Sequence, residues 1–244
     1  EALKFTSDTD ETAFINTLIA RAYYRLGDKV NAVKYASNVL TLSTDFTKQV
    51  TFDGENNVIS SIQGYIYGTN FQPLPRLDFL DPKYFQTKAK EARPICIAKA
   101  EEPYLILAEA ALADNDVNGA KGFLKTLLTL VSNRPVATDI NDQLEGRYNG
   151  GYKEYPNSSE YRVAASSEDE FRSGLVLDRQ SPHLISVPYI SGTSVTEEMI
   201  DAPTTVDGLL EVLYLMRQEI FMAEGRRAAD LGIRFPVCET EAAN

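Results

Sequence analysis

Between Thr12 and Leu42, apolar and small residues recur at Phe14, Leu18, Ala22 and Leu26, then at Val33, Ala36 and Leu40. This spacing is close to the 3.6-residue period of an α-helix. Gly27-Asp28 interrupts the pattern with turn chemistry, so the segment predicts two amphipathic helices joined by a tight connection. Ala20 and Ala32 fall where the two helices would cross, and Tyr23 and Tyr35 would fill the space around them.

The pattern returns at Tyr104 to Val131, with Ala108 and Ala120 in the places of Ala20 and Ala32 and Asn115-Asp116 in the place of the Gly-Asp turn. Small residues at a helix crossing with an aromatic beside them are the spacing of tetratricopeptide (TPR) pairs. Equivalent alanines are 120 − 32 = 88 residues apart, whereas tandem TPRs repeat at about 34. A simple solenoid is therefore excluded, and about fifty extra residues intervene. Within them, VTFDGENNVISSIQGYIYGTNF carries β-branched and aromatic runs separated by Asp-Gly, Asn-Asn and Gly, which predicts a small β-hairpin. A third periodic stretch runs from Val206 to Leu231, opened by TTVDG and closed at Gly232 before Pro236. The expected fold is mainly α: one domain over 1–244, with TPR-like helical blocks at 12–42, 103–131 and 206–231. Long irregular insertions occupy 43–102 and 132–205.

Composition narrows the function classes. Of 244 residues, 24 are Lys or Arg and 35 are Asp or Glu, a net charge of −11. Such a surface repels phosphate backbones and anionic lipid headgroups, which argues against nucleic-acid and membrane-surface binding. No stretch approaches the ~18 apolar residues of a membrane span, and EALKFTSDTDE lacks the features of a signal peptide. A start at Glu1 rather than Met suggests a processed or truncated product. Cys96 and Cys238 are too few for a disulfide framework or a four-thiolate zinc site and are read as unpaired thiols. His183 is the only histidine and lies beside Pro182, which leaves few routes to histidine chemistry.

Asp114-Asn-Asp116-Val-Asn118-Gly119 matches the first half of a calcium loop. Its twelfth position, which should be a bidentate Glu, is Lys125. The stretch is better read as the turn of the second helical pair, so no metal and no cofactor are expected. Carboxylate pairs such as Glu197-Glu198 or Glu168-Asp169-Glu170 read as solvated acidic faces rather than as glycosidase acid and nucleophile. No Gly-x-Ser-x-Gly, P-loop or Gly-x-Gly-x-x-Gly is present. In LYLMRQEIFMAEGRRAADLG, Arg217 and Glu224 would share a helix face, as would Arg226 and Asp230. Charges set so closely among apolar residues read as a buried structural ion-pair network rather than a catalytic one. The insertion GRYNGGYKEYPNSSEYR places Tyr148, Tyr152, Tyr155 and Tyr161 among Gly and Asn, either as a recognition surface or as packing that pins the loop to its scaffold.

Three stretches together resemble the SusD/RagB family of outer-membrane nutrient-binding lipoproteins of Bacteroidota: ARAYYRLGDKVNAVKYASNVL, AEEPYLILAEAALADND and RQEIFMAEGRRAADLG. The last is the specific one, matching the family's Arg…Glu-(Leu/Ile)…Glu-Gly-x-Arg-x-x-Asp-Leu at Arg217, Glu219, Ile220, Glu224, Gly225, Arg227, Asp230 and Leu231. Ala228 stands where the family has an aromatic. Family members are longer and carry a signal peptide and a lipid-bearing cysteine, so the resemblance implies an internal fragment whose lipid anchor is absent from this chain. It further implies a cell-surface protein of the outer membrane that captures an oligosaccharide or peptide nutrient. The partner is a SusC-like TonB-dependent transporter, and no chemistry is performed. The alternatives are a cytoplasmic TPR-type adaptor and a helical glycoside hydrolase.

Overall fold

The computed structural model describes residues 3, 6–56, 58, 94–141, 184–222 and 224–226. Six helices and four short strands fall within them, so the protein is mainly α. Helix α1 (Thr9–Arg25) starts at Asp8, whose carboxylate accepts from the Glu11 backbone N–H at 2.7 Å. Asp10 and Glu11 add negative charge to a first turn whose unsatisfied N–H groups favour it. The helix stops at Leu26 because Gly27 takes a φ of +73°, a conformation any side chain would strain. Asp28 then caps α2 (Lys29–Leu42), so the Gly-Asp dipeptide closes one helix and opens the next.

The second pair repeats this device. Helix α3 (Glu101–Ala113) ends in a turn with Asn115 at φ 59°, and Asp116 caps α4 (Val117–Ser132) by accepting from Gly119 N–H at 2.8 Å. A Cβ on Gly119 would lie 2.2 Å from that carboxylate, so a larger residue there would make the cap side chain shift. Gly119 and the acidic residues around it are thus the turn of a helical pair. Among the described residues no group of His, Cys, Asp and Glu is arranged to hold a metal ion.

The pairs are closely packed within themselves, α1 on α2 and α3 on α4, and α2 lies against α3. At the first crossing Ala20, Ala32 and Ala36 are buried and Tyr23 stacks on Tyr35 with ring centroids 5.7 Å apart. The buried face of α1, however, is Ala13, Asn16, Thr17 and Ala20, while Leu18 and Leu26 are exposed. The expected stripe of Phe14, Leu18, Ala22 and Leu26 follows side-chain size. The packing instead selects the narrow face, because small side chains let the backbones approach. Helix α3 is buried along most of its length and forms the main core with α4, α5 (Glu197–Asp201) and α6 (Val206–Ile220).

Two further differences concern the insertions. Strand β1 (Thr47–Val50) pairs antiparallel not with its neighbour but with β2 (Ile95–Lys99), which leads directly into α3. Of the expected local hairpin only an isolated Asp53–Val58 bridge is seen, and its remainder lies outside the described residues. Strands β3 (Val136–Asn141) and β4 (Leu184–Pro188) form a second antiparallel pair inside the stretch expected to be irregular. Sheet pairing here joins residues 43 or more apart (184 − 141 = 43), which local turn signals do not encode. Helix α6 ends at Ile220 rather than Leu231, capped at Phe221, and the chain then turns through Gly225 at φ +69°. No helix among the described residues is long and apolar enough to cross a membrane.

Candidate functional site

Helix α3 is among the most apolar of the described helices, yet it carries three glutamates that each hold a basic group from a different part of the chain. Glu101 is fully buried and accepts from Arg134 Nε at 2.9 Å and Nη2 at 2.7 Å, the bidentate fork of a guanidinium on a carboxylate. Ser191 Oγ also donates to it at 2.6 Å. Burial alone would push the Glu101 carboxyl up, but Lys99, Arg134 and Ser191 together hold it below the usual carboxylate range.

Glu102 stands between two arginines. Arg21 of α1 donates to it through Nε and Nη2 at 2.9 and 2.7 Å, and Arg226 adds ion-pair and hydrogen-bond contacts at 2.6 and 2.7 Å. Burial again opposes ionisation, and the facing Arg226 and Arg21 more than offset it, so this carboxyl too lies below its ordinary value. One carboxylate thereby fastens the first helix to the segment that follows α6.

Glu109, two turns on, meets Arg217 of α6. Arg217 Nη2 donates to Glu109 Oε2 at 2.8 Å, and its Nη1 donates to the Tyr24 hydroxyl at 2.8 Å. Tyr24 in turn donates to the same Oε2 at 2.8 Å, closing a three-membered ring of hydrogen bonds. The guanidinium also sits over the Tyr24 ring, 4.9 Å from its centroid. Burial, with Glu109 adding to it and Arg217 opposing it, pushes the Tyr24 hydroxyl well above its ordinary value.

The remaining residues of the C-terminal motif engage other partners. Glu219 accepts from Thr193 Oγ1, Ser194 N–H and Ser194 Oγ at 2.7 to 2.8 Å, which ties down the strand-to-helix loop. Glu224 accepts from Lys99 Nζ at 2.6 Å. Lys99 is fully buried; it also donates to the Ile220 carbonyl at 2.7 Å and lies over the Phe221 ring. The spacing argument is therefore corrected. Arg217 and Glu224 do not pair along one helix face, because α6 ends between them, and each is matched to another element. Arg226 is matched to Glu102; Arg227 and Asp230 lie outside the described residues.

So do Tyr148, Tyr152, Tyr155 and Tyr161, together with His183, Cys238 and Glu168 to Glu170. Cys96 is buried and not in a disulfide. Glu197 pairs with Lys125 at 3.1 Å on the surface, beside Asp201. The residues not singled out from sequence include Lys99, Glu101, Glu102, Glu109, Tyr24, Arg21 and Arg134. The available signal was polarity out of place: Lys-Ala-Glu-Glu immediately before the run PYLILAEAAL.

Above the Tyr24–Glu109–Arg217 ring the two helical pairs leave a cleft of about 190 Å³. Val33, Ile106 and Ala110 form apolar walls, Tyr24 and Glu109 supply polar groups, and Lys29 stands at the α1–α2 turn. The chain matches no protein-family model, no curated protein and no solved structure.

Proposed function

We propose that the chain is the helical body of a SusD/RagB-like nutrient-binding protein, built on TPR-like pairs. In this reading it captures an oligosaccharide or peptide at the outer surface and passes it to a SusC-like TonB-dependent transporter, without catalysis. One observation carries the reading. The residues in which the resemblance resides are also the ones that interlock the fold: Arg217 with Glu109, Glu219 with the 193–194 loop and Glu224 with Lys99. A motif of this kind preserves a scaffold, and recognition then falls to the insertions that the scaffold displays. The buried acids are spent on arginine and lysine, which suits a protein that holds rather than converts its ligand.

The adaptor reading has an observation of its own, since α2 packs against α3 and stacks the two pairs despite the long insertion between them. Native affinity gels cast with a panel of glycans, with reducing ends assayed in parallel, separate the readings. Retardation by at least one glycan without new reducing ends is the expected result. Release of reducing ends would make the protein a hydrolase, and indifference to every glycan would count against the oligosaccharide form of the reading.

A further inference from the structure

The cleft between the helical pairs opens directly from the core. Ala32 and Ile106, both buried, belong to the apolar cluster that seats α2 against α3, and they line the cleft together with Val33, Ala110 and Ala113. Water in such a space finds few polar partners, whereas an apolar group extends the core. The polar side chains of the lining are Tyr24, Lys29 and Glu109, and their charges are already balanced within the protein. Glu109 is paired with Arg217, the Tyr24 hydroxyl both donates and accepts inside that ring, and Lys29 is paired with Asp114. The lining thus keeps spare donors on an ammonium and spare acceptor capacity on a carboxylate, with neither sign of charge in excess.

We propose that this cleft binds a small uncharged aliphatic molecule carrying one group that both donates and accepts, such as a primary amide. Its hydrocarbon body would lie against Val33, Ile106 and Ala110, in the manner of apolar ligand pockets with few polar groups. A lining whose charges cancel gives an ion nothing to offset its lost hydration, which disfavours ammonium and carboxylate ligands alike. An amide can meet a donor-only or an acceptor-only group without bringing a charge of its own. At roughly 30 Å³ for each water-sized group, the 190 Å³ volume accommodates about six non-hydrogen atoms. The site is independent of the glycan reading, because it lies on the helical pairs and uses none of the tyrosines of the 147–162 insertion.

Butanamide, butanoate and n-pentylammonium match one another in size and differ in charge, so titrating each into the whole chain at neutral pH tests the assignment. With the methyl NMR signals of Val33 and Ile106 as reporters, butanamide should bind about fivefold or more tightly than either ion. Asp114→Asn takes the counter-ion from Lys29 without altering the lining itself. It should raise butanoate affinity about threefold or more and leave butanamide within about twofold. Ala110→Leu and Ala113→Leu add bulk to the cleft from positions outside the buried core, and each should weaken butanamide about tenfold or more. At the exposed Ala113 this should come with no change in melting temperature. Unmoved methyl signals with butanamide, equal binding of either ion to the parent protein, or butanoate affinity unchanged in Asp114→Asn would overturn the proposal. So would butanamide binding that survives both leucine variants.

Discussion

The Lys99–Glu224 pair shows what a single buried charge demands of its surroundings. The two side chains are 1% and 5% exposed, so the short contact between them stands in for water. Removing one partner takes a buried charge from its nearest counter-ion, which is far more costly than never having had the pair. Glu224→Ala should therefore cost about 3 kcal/mol, read as a lower urea midpoint at an unchanged slope. Joint replacement, Lys99→Met with Glu224→Gln, should recover a substantial part of that loss, because the charge and its partner leave together. A double variant as unstable as the single one would mean that losing the Lys99 contact to the Ile220 carbonyl outweighs the relief of removing both charges. Tyr24→Phe probes the neighbouring ring of hydrogen bonds more gently. It deletes one hydroxyl that bridges Arg217 and Glu109 and should cost about 1 kcal/mol, with Arg217 and Glu109 still in contact. Equal stability of Tyr24→Phe and the parent protein would show that water replaces the hydroxyl without loss.

Elements are set by smaller features than the hydrophobic stripe suggests. At the α1–α2 crossing the contact is made by Ala20, Ala32 and Ala36, all essentially inaccessible, with the Tyr23–Tyr35 stack beside them. Ala20→Leu has no room and should destabilise by about 1–3 kcal/mol through overpacking, whereas Leu26→Ala, at an exposed position, should change the melting temperature little. The reverse ranking would restore the stripe expected from periodicity. Helices with their own punctuation were legible from the chain: Gly27-Asp28 and Asn115-Asp116 mark turns because backbone φ and cap geometry are local properties. The end of α6 was not, since the apolar period continues into Phe221 while the carboxylate of Glu224 is drawn to Lys99. The pairing of β1 with β2 was equally hidden, because register across a long insertion depends on tertiary packing. The ionic character of the C-terminal motif could be read from charges set among apolar residues, but its partners on α3, β2 and the 193–194 loop could not. Residue spacing specifies neighbours on one helix and says nothing of which helix lies opposite.

At the scale of the whole molecule, the buried acids of α3 tie the stability of the fold to pH. Glu101 and Glu102 have folded-state values below their ordinary 4.5, so their contribution is present above that value and is lost as pH falls through the lowered folded ones. Urea midpoints should be level from neutrality to about pH 5 and should drop below pH 4.5. The raised hydroxyl of Tyr24 acts with the opposite sign, its contribution being whole below its ordinary value of 10.0 and lost as pH rises beyond it. A protein equally stable at pH 3 and at neutrality would contradict the carboxylate network. With so much charge committed internally, recognition is expected from the insertion rich in Tyr, Gly and Asn. Under the proposed reading, aromatic rings there would stack on sugar C–H surfaces at little entropic cost, each stacked ring adding about 1 kcal/mol. Replacing Tyr152 and Tyr155 together by Ala should then weaken retention in glycan affinity gels by about tenfold or more and leave the melting temperature unchanged. The tyrosines of the helical pairs, Tyr23 and Tyr35, should give the converse result, lost stability with retention intact in the fraction that remains folded. If the Tyr152/Tyr155 variant instead melts earlier and binds as before, those rings are packing against the scaffold and the glycan surface lies elsewhere on the protein.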